Sequence, residues 1–158
     1  MHIGLVGGIG VAASLVYYQR LAAAVEAKGA RLRMTLSHGD IHTLIRNNLA
    51  DIREPQARIF ADQIAELKGA GAEVAALTSL GAHYCFDELA AISPLPLISA
   101  VTPLDSFFTD QGIGRIGLLG TRVVMRTRLF GQLERTEAVA LDDEIETIGQ
   151  TYQDVAVA

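Results

Sequence analysis

The chain has 158 residues, half of them apolar and a fifth charged, with a formal net charge of −5. That length and apolar share suffice to bury a core and exclude a disordered chain; one domain, or one and a half small ones, is the expectation. The Lys and Arg residues are scattered, and with no basic patch interleaved with aromatics nucleic acid is excluded as a partner.

Ile3-Gly4-Leu5-Val6 is a short apolar run that stops at Gly7-Gly8-Ile9-Gly10, and Val11 to Glu26 follows, rich in Ala, Leu and Val. This predicts a strand near residues 2 to 6, a tight glycine turn and a helix. Glycine at Gly7, Gly8 and Gly10 permits positive φ and lets the backbone approach a ligand with no Cβ in the way. Gly8-x-Gly10-x-x-Ala13 also fits the dinucleotide-binding fingerprint. That reading wants an acidic residue at the end of the second strand, about 20 residues on, to hold a ribose hydroxyl. The chain has Met34-Thr35-Leu36-Ser37-His38 there, and Asp40 comes late.

Arg31 to Ser37 alternates like a strand, near 32 to 37, and His38-Gly39-Asp40-Ile41-His42 reads as the loop at its carboxyl end. Two His and an Asp so close together invite a metal reading. Chelation by so short a loop needs a further ligand, which nothing in the sequence identifies, so no metal is expected. Pro55 to Gly69 carries Ile59, Phe60, Ile64 and Leu67 at helical spacing and predicts a scaffold helix.

A buried strand near 73 to 78 then delivers Thr78 and Ser79 to the edge of the sheet, and His83 opens the next helix. Ligands of open α/β sheets bind outside the carboxyl ends of the strands, where the N–H groups of a following helix favour an anion. Pro94 to Ser99 predicts a strand near 96 to 99 with its prolines at the entry, and Val101 to Gly112 a helix. Gly114 to Thr121 repeats the logic of the first strand, near 115 to 119, before a helix from Val123 to Leu133. Ala138 to Leu141 and Glu144 to Val155 read as a further strand and helix. The recurring strand-turn-helix alternation predicts an α/β fold, a mainly parallel open sheet with helices on both faces.

Three of these stretches carry a resemblance. Gly7-Gly8-Ile9-Gly10-Val11-Ala12-Ala13-Ser14 followed by Tyr17-Tyr18 resembles the opening of the aspartate/glutamate racemase superfamily, with Ile9 in place of Met and no Pro at Val11. Ser79 to His83 with Tyr84-Cys85-Phe86-Asp87-Glu88-Leu89 resembles that superfamily's Cys-Asn-Thr-x-His strand end, its aromatic helix and its Asp-Glu-Leu continuation. Ile116-Gly-Leu-Leu-Gly-Thr121, with Met125 and Phe130 beyond it, looks like the start of the second, pseudo-symmetric half. The resemblance implies a two-half fold, residues 1–99 forming the first α/β half and 100–158 the start of the second. No segment resembles the second half's Gly-Cys-Thr motif, so the second half is expected to be incomplete.

Racemases of this superfamily work without a cofactor, pyridoxal phosphate included, by placing a thiol on each face of the substrate's α-carbon. The resemblance puts the first thiol position at Ser79, or at Thr78 in the variant with one extra residue, with His83 beside it as the third catalytic position. It makes Gly8, Ser14, Gly81 and Thr121 substrate-binding positions. The family's loop after the second strand binds the distal carboxylate, and Arg46 suits that task because its planar fork can hold a carboxylate bidentately.

None of the thiol positions is Cys. A thiol near pKa 8.5 can be tuned to take an α-proton, whereas a Ser or Thr hydroxyl titrates far too high without an adjacent base. Cys85, the single Cys, lies two residues past His83 and is turned roughly 200° from it on a helix, which fits core packing. Two functions are expected in competition: a cofactor-independent amino-acid racemase using altered residues, and a catalytically silent homologue that binds a small amino acid or dicarboxylate. The resemblance also implies a homodimer. A lone Cys cannot form an internal disulfide, the amino terminus lacks a charged region and cleavage site, and no apolar run nears the roughly 20 residues of a membrane span. A cytoplasmic, membrane-free protein is expected.

Overall fold

The computed structural model describes residues 1–157, apart from the side chains of Ala156 and Val157. Its elements run β1 (His2–Gly7), α1 (Val11–Glu26), β2 (Arg33–His38), α2 (Ile41–Leu49), α3 (Arg53–Gly69), β3 (Val74–Leu77), a 3₁₀ turn (Leu80–Cys85) and α4 (Phe86–Ile92). Then follow β4 (Leu97–Ile98), α5 (Leu104–Asp110), β5 (Arg115–Gly117), α6 (Arg122–Arg126), β6 (Glu137–Val139), a second 3₁₀ turn (Asp142–Glu144) and α7 (Ile145–Val157).

Every residue of β1 is buried, as the apolar run from Ile3 to Val6 requires of a central parallel strand. It pairs in parallel with β2 on one side and β3 on the other, and β4 joins β3, giving the order β2-β1-β3-β4. The chain therefore leaves β1 in one direction and crosses back to β3 in the other. Right-handed crossovers then place α1 on one face of the sheet and α3 and α4 on the opposite face. The reversal also creates a topological switch point between the carboxyl ends of β1 and β3, the place where ligands of such sheets bind.

The α3 face is the main core. Phe60, Ile64 and Leu67 of α3 are fully buried with Leu77, Leu89 and Leu44. By contrast α1 buries only Ser14, and its Leu15, Val16 and Tyr18 stay exposed although most of the helix is apolar.

The strand near 115 to 119 does not extend the first sheet. β5 pairs in parallel with β6 in a sheet of two strands, packed with a second core around Val101, Leu118, Val124, Met125 and Leu129. Two helices also depart from the sequence-based expectation. Residues 41 to 49 are helical rather than loop, because Asp40 accepts a hydrogen bond from Thr43 N at 2.8 Å and caps the turn while Leu44 is buried. In the other direction α6 ends at Arg126 instead of running to Leu133. Arg128, Leu129 and Phe130 take φ of 51°, 60° and 61°, a left-handed run closed by Gly131. Such backbone costs about 1 kcal/mol or more per non-glycine residue. The burial of Leu129 and the pairing of Arg128 with Asp142 at 2.7 Å hold it in place.

Candidate active site

The crevice at the switch point is built from hydroxyls and glycines. The Thr78 hydroxyl donates to Val6 O at 3.1 Å, which uses its one proton, so Ser14 must donate to Thr78 across their 2.8 Å contact. The chain of bonds from Ser14 through Thr78 to Val6 fastens the first turn of α1 to the ends of β1 and β3. On the other face the buried Gln63 of α3 donates to Gly7 O at 3.3 Å and Ser37 O at 3.2 Å, fixing the ends of β1 and β2 together. Gly8 and Gly10 have positive φ, as expected, but Gly7 does not. A Cβ on Gly7 would meet Ser14 Oγ at 3.0 Å, so glycine is needed there for close approach. A Cβ on Gly8 would lie 2.4 Å from Leu44 Cδ1, inside the protein.

Ser79 is 6% exposed, and its Oγ has no hydrogen-bond partner among the described residues. It stands at the start of the 3₁₀ turn in extended conformation and does not cap it. An orphaned buried hydroxyl costs about 1–3 kcal/mol, and in a crevice it marks a place where a partner belongs. Gly81 lies close by: a Cβ there would be 3.6 Å from Ser79 Oγ and 3.1 Å from Thr121 Cγ2. Glycine at 81 thus lets Thr121 of the second half reach the first. The Thr121 hydroxyl accepts from Val124 N at 3.4 Å as the cap of α6.

His83 has both ring nitrogens engaged by backbone. Ala100 N donates to Nε2 at 3.1 Å, which leaves the proton on Nδ1 to donate to Ser79 O at 3.0 Å. Burial holds its pKa below the ordinary value and favours the neutral ring, which stacks on Phe86 at 5.2 Å. In this arrangement His83 is a strut between the strand end and Ala100, with no lone pair left to take a proton. Cys85 is fully buried, its thiol pushed up to about 12 by burial and directed at Ala82 O, which leaves no useful thiolate.

Arg46 lies on the exposed side of α2, beside His42 and Leu49, and makes no ion pair among the described residues. The α2 residue that reaches the Ser79 turn is Asn48, buried, whose amide donates to Gly81 O at 3.0 Å. A second group absent from the sequence-based expectation is Arg122. Ile9, Asn48, Thr121 and Arg122 line a cavity with Gly149, Tyr152 and Gln153 of α7. It holds only about 20 Å³, room for one water and no more. Both omissions have a sequence signal: Asn48 is two residues from Arg46 in the same capped helix, and Arg122 directly follows Thr121.

The profile of the Asp/Glu/Hydantoin racemase family matches residues 6–150. No curated protein matches the sequence. Among solved structures, a candidate Asp/Glu racemase from Yersinia pestis superposes with a TM-score of 0.80 at 27% identity, covering 98% of this chain and 71% of that one. An aspartate racemase homologue from Pyrococcus horikoshii OT3 gives 0.75 at 22% identity, with 94% and 68% covered. The Picrophilus torridus aspartate racemase gives 0.73 at 17% identity, with 98% and 73% covered. The last two likenesses speak for the fold alone, but the profile spans nearly the whole chain and includes the glycine turn, the Ser79 strand end and Thr121. On that match the chain belongs to the Asp/Glu/Hydantoin racemase family.

Proposed function

We propose that this chain binds a small amino acid or dicarboxylate in the crevice between the glycine turn, the Thr78–Gly81 segment and Thr121, and that its 158 residues do not exchange the ligand's α-proton at an enzymatic rate. The observation that carries the binding half is the unpartnered hydroxyl of Ser79, buried at the switch point within reach of both halves. A ligand oxygen there would satisfy a group that is otherwise left without a bond.

The second half of the proposal is chemical. An α-proton is so weakly acidic that its base must be strong, desolvated and aligned. Ser79 could serve only as an alkoxide, which would need a base to generate it. His83, the nearest, has both nitrogens committed to backbone. Thr78 donates to Val6 O, and Cys85 is protonated and turned into the core. Groups that bind ground state and transition state equally do not accelerate the chemical step. The competing reading, a racemase with altered catalytic residues, draws on the family match.

Solvent deuterium wash-in at the α-carbon of aspartate and glutamate, followed by proton NMR, separates the two. Binding without incorporation is the expected result, and Ser79→Cys is expected to permit slow exchange from one face. Interconversion of L- and D-aspartate by the unmodified chain at about 1 per second or faster would reverse this reading.

A further inference from the structure

Arg122 is the charged side chain of this small cavity, with a side chain only 15% exposed. Its nitrogens are all directed at α7: Nε to the Glu146 carboxylate at 2.9 Å, one terminal nitrogen to Gln150 Oε1 at 3.1 Å and Glu146 O at 3.4 Å, the other to Gln153 Oε1 at 3.4 Å. Arg126 also holds the Glu146 carboxylate. Residues 146, 150 and 153 share one face of a helix, so α7 presents a stripe of acceptors, one of them a carboxylate, to a guanidinium at the mouth of the crevice. α7 comes this close because Gly149 has no side chain: a Cβ there would lie 2.5 Å from Arg122 Cγ.

We propose that Arg122 is the group that recognises the side-chain carboxylate of an acidic ligand, and that Glu146 occupies it in the ligand's place while α7 is closed. The inference rests on the reading of the crevice as a small-carboxylate site. Three observations converge on it. Arg122 adjoins Thr121 and shares a cavity with Asn48, and both of these residues meet Gly81, which stands beside the Ser79 hydroxyl. The cavity as it stands is too small for an amino acid, so something lining it must move to admit one, and α7 supplies three of its lining residues. Ile145 and Ile148 seat α7 on the second core, and the polar contacts it makes with Arg122 are those a ligand carboxylate would replace: a guanidinium satisfied by a carboxylate in a partly buried setting exchanges one such partner for another at little cost. Arg46, exposed on α2, lacks this enclosure.

The test is calorimetric titration of the whole chain with succinate, L-aspartate and L-alanine, on wild type and three variants. Glu146→Gln removes the internal competitor without altering shape, and Gly149→Ala pushes α7 away without altering charge. Each is expected to tighten succinate and aspartate roughly three- to tenfold. Arg122→Gln, its folding checked by circular dichroism, is expected to weaken both on the order of tenfold or more, the usual consequence of losing a charge-assisted fork. It should leave alanine unchanged, an outcome that a merely structural role for Arg122 would not give. Wild-type binding of succinate that none of the three variants alters, or an Arg122→Gln loss equal for alanine and aspartate, overturns the inference and leaves the crevice reading standing. No binding of any of the three ligands at millimolar concentration, even with Glu146→Gln and Gly149→Ala, overturns both.

Discussion

The two halves of the molecule each present a strand that ends in a hydroxyl and a short helical turn, yet the two turns are built in opposite ways. The first, Ser79 to Cys85, is buried throughout except at Leu80, and its polar side chains, Ser79 apart, are tied to backbone. The second, from Thr121 to Arg126, spends its hydroxyl on its own cap and carries a guanidinium held by acceptors of α7, most of them side chains. A site needs both kinds of wall: one that is preorganised and holds its hydroxyl in place before a ligand arrives, and one that carries charge and can yield. The difference shows that burial, more than residue type, decides which wall a hydroxyl belongs to.

The hardest blow to the rigid wall is His83→Ala. It leaves the part-buried Ala100 N–H without its acceptor, takes from Ser79 O one of its two donors, removes the ring stacked on Phe86 and leaves a cavity. A loss of about 3–4 kcal/mol is expected in urea unfolding, with the midpoint moving and the slope unchanged. A loss under about 1 kcal/mol would mean that the turn does not depend on its strut. The next largest effect is expected of Gly8→Ala, where φ of 138° and a Cβ 2.4 Å from Leu44 Cδ1 combine strain with a clash. About 2–3 kcal/mol of destabilisation should follow, and a smaller value would show that Leu44 can move aside.

The sequence made the rigid wall easier to foresee than the yielding one, for a physical reason. Strands β1 and β3, the glycine turn and the switch point follow from apolar runs and punctuation, which are local signals, so Gly8, Ser14, Thr78 and Ser79 could be placed at one sheet edge. The division of the strands into two sheets could not be read, because β5 and β6 are three residues each and their partners are chosen by packing. Arg46 stands out in the sequence because a guanidinium advertises its chemistry, whereas the role of Asn48 depends on which face of α2 is buried. That face could not be assigned while residues 41 to 49 read as loop. Arg122 depends on α7, which meets it only in three dimensions, and the commitment of His83 to the backbone depends on Ala100, whose N–H occupies its Nε2.

Acid offers a gentler perturbation of the same strut. His83 is neutral in the fold, its pKa lowered by burial from the model-compound value of 6.5. Between the lowered folded value and 6.5 the unfolded chain therefore binds more protons than the folded one, and stability rises with pH across that window. The stability contributed by the neutral ring is fully present above about pH 6.5 and is lost as pH falls toward the folded value. Urea midpoints should thus drop between neutral and mildly acidic buffer. In His83→Asn, which cannot titrate, the part of that slope due to this ring should vanish; an unchanged slope would assign it to other groups.

The smallest effects give the sharpest contrast, because they set the two hydroxyls against each other. Thr121→Ala removes the acceptor for Val124 N at the start of α6 and should cost about 1 kcal/mol, the usual worth of a cap. Ser79→Ala removes a more deeply buried hydroxyl that bonds to nothing, so it relieves a desolvated group and should leave stability unchanged or raise it by up to about 1 kcal/mol. Added succinate should raise the midpoint of wild type, by linkage, and raise that of Ser79→Ala less. A hydroxyl whose removal stabilises the empty protein but weakens the liganded one is held in place for the ligand. If instead Ser79→Ala is as destabilising as Thr121→Ala, its Oγ bonds within the fold in solution, and the crevice loses the observation on which the binding proposal stands.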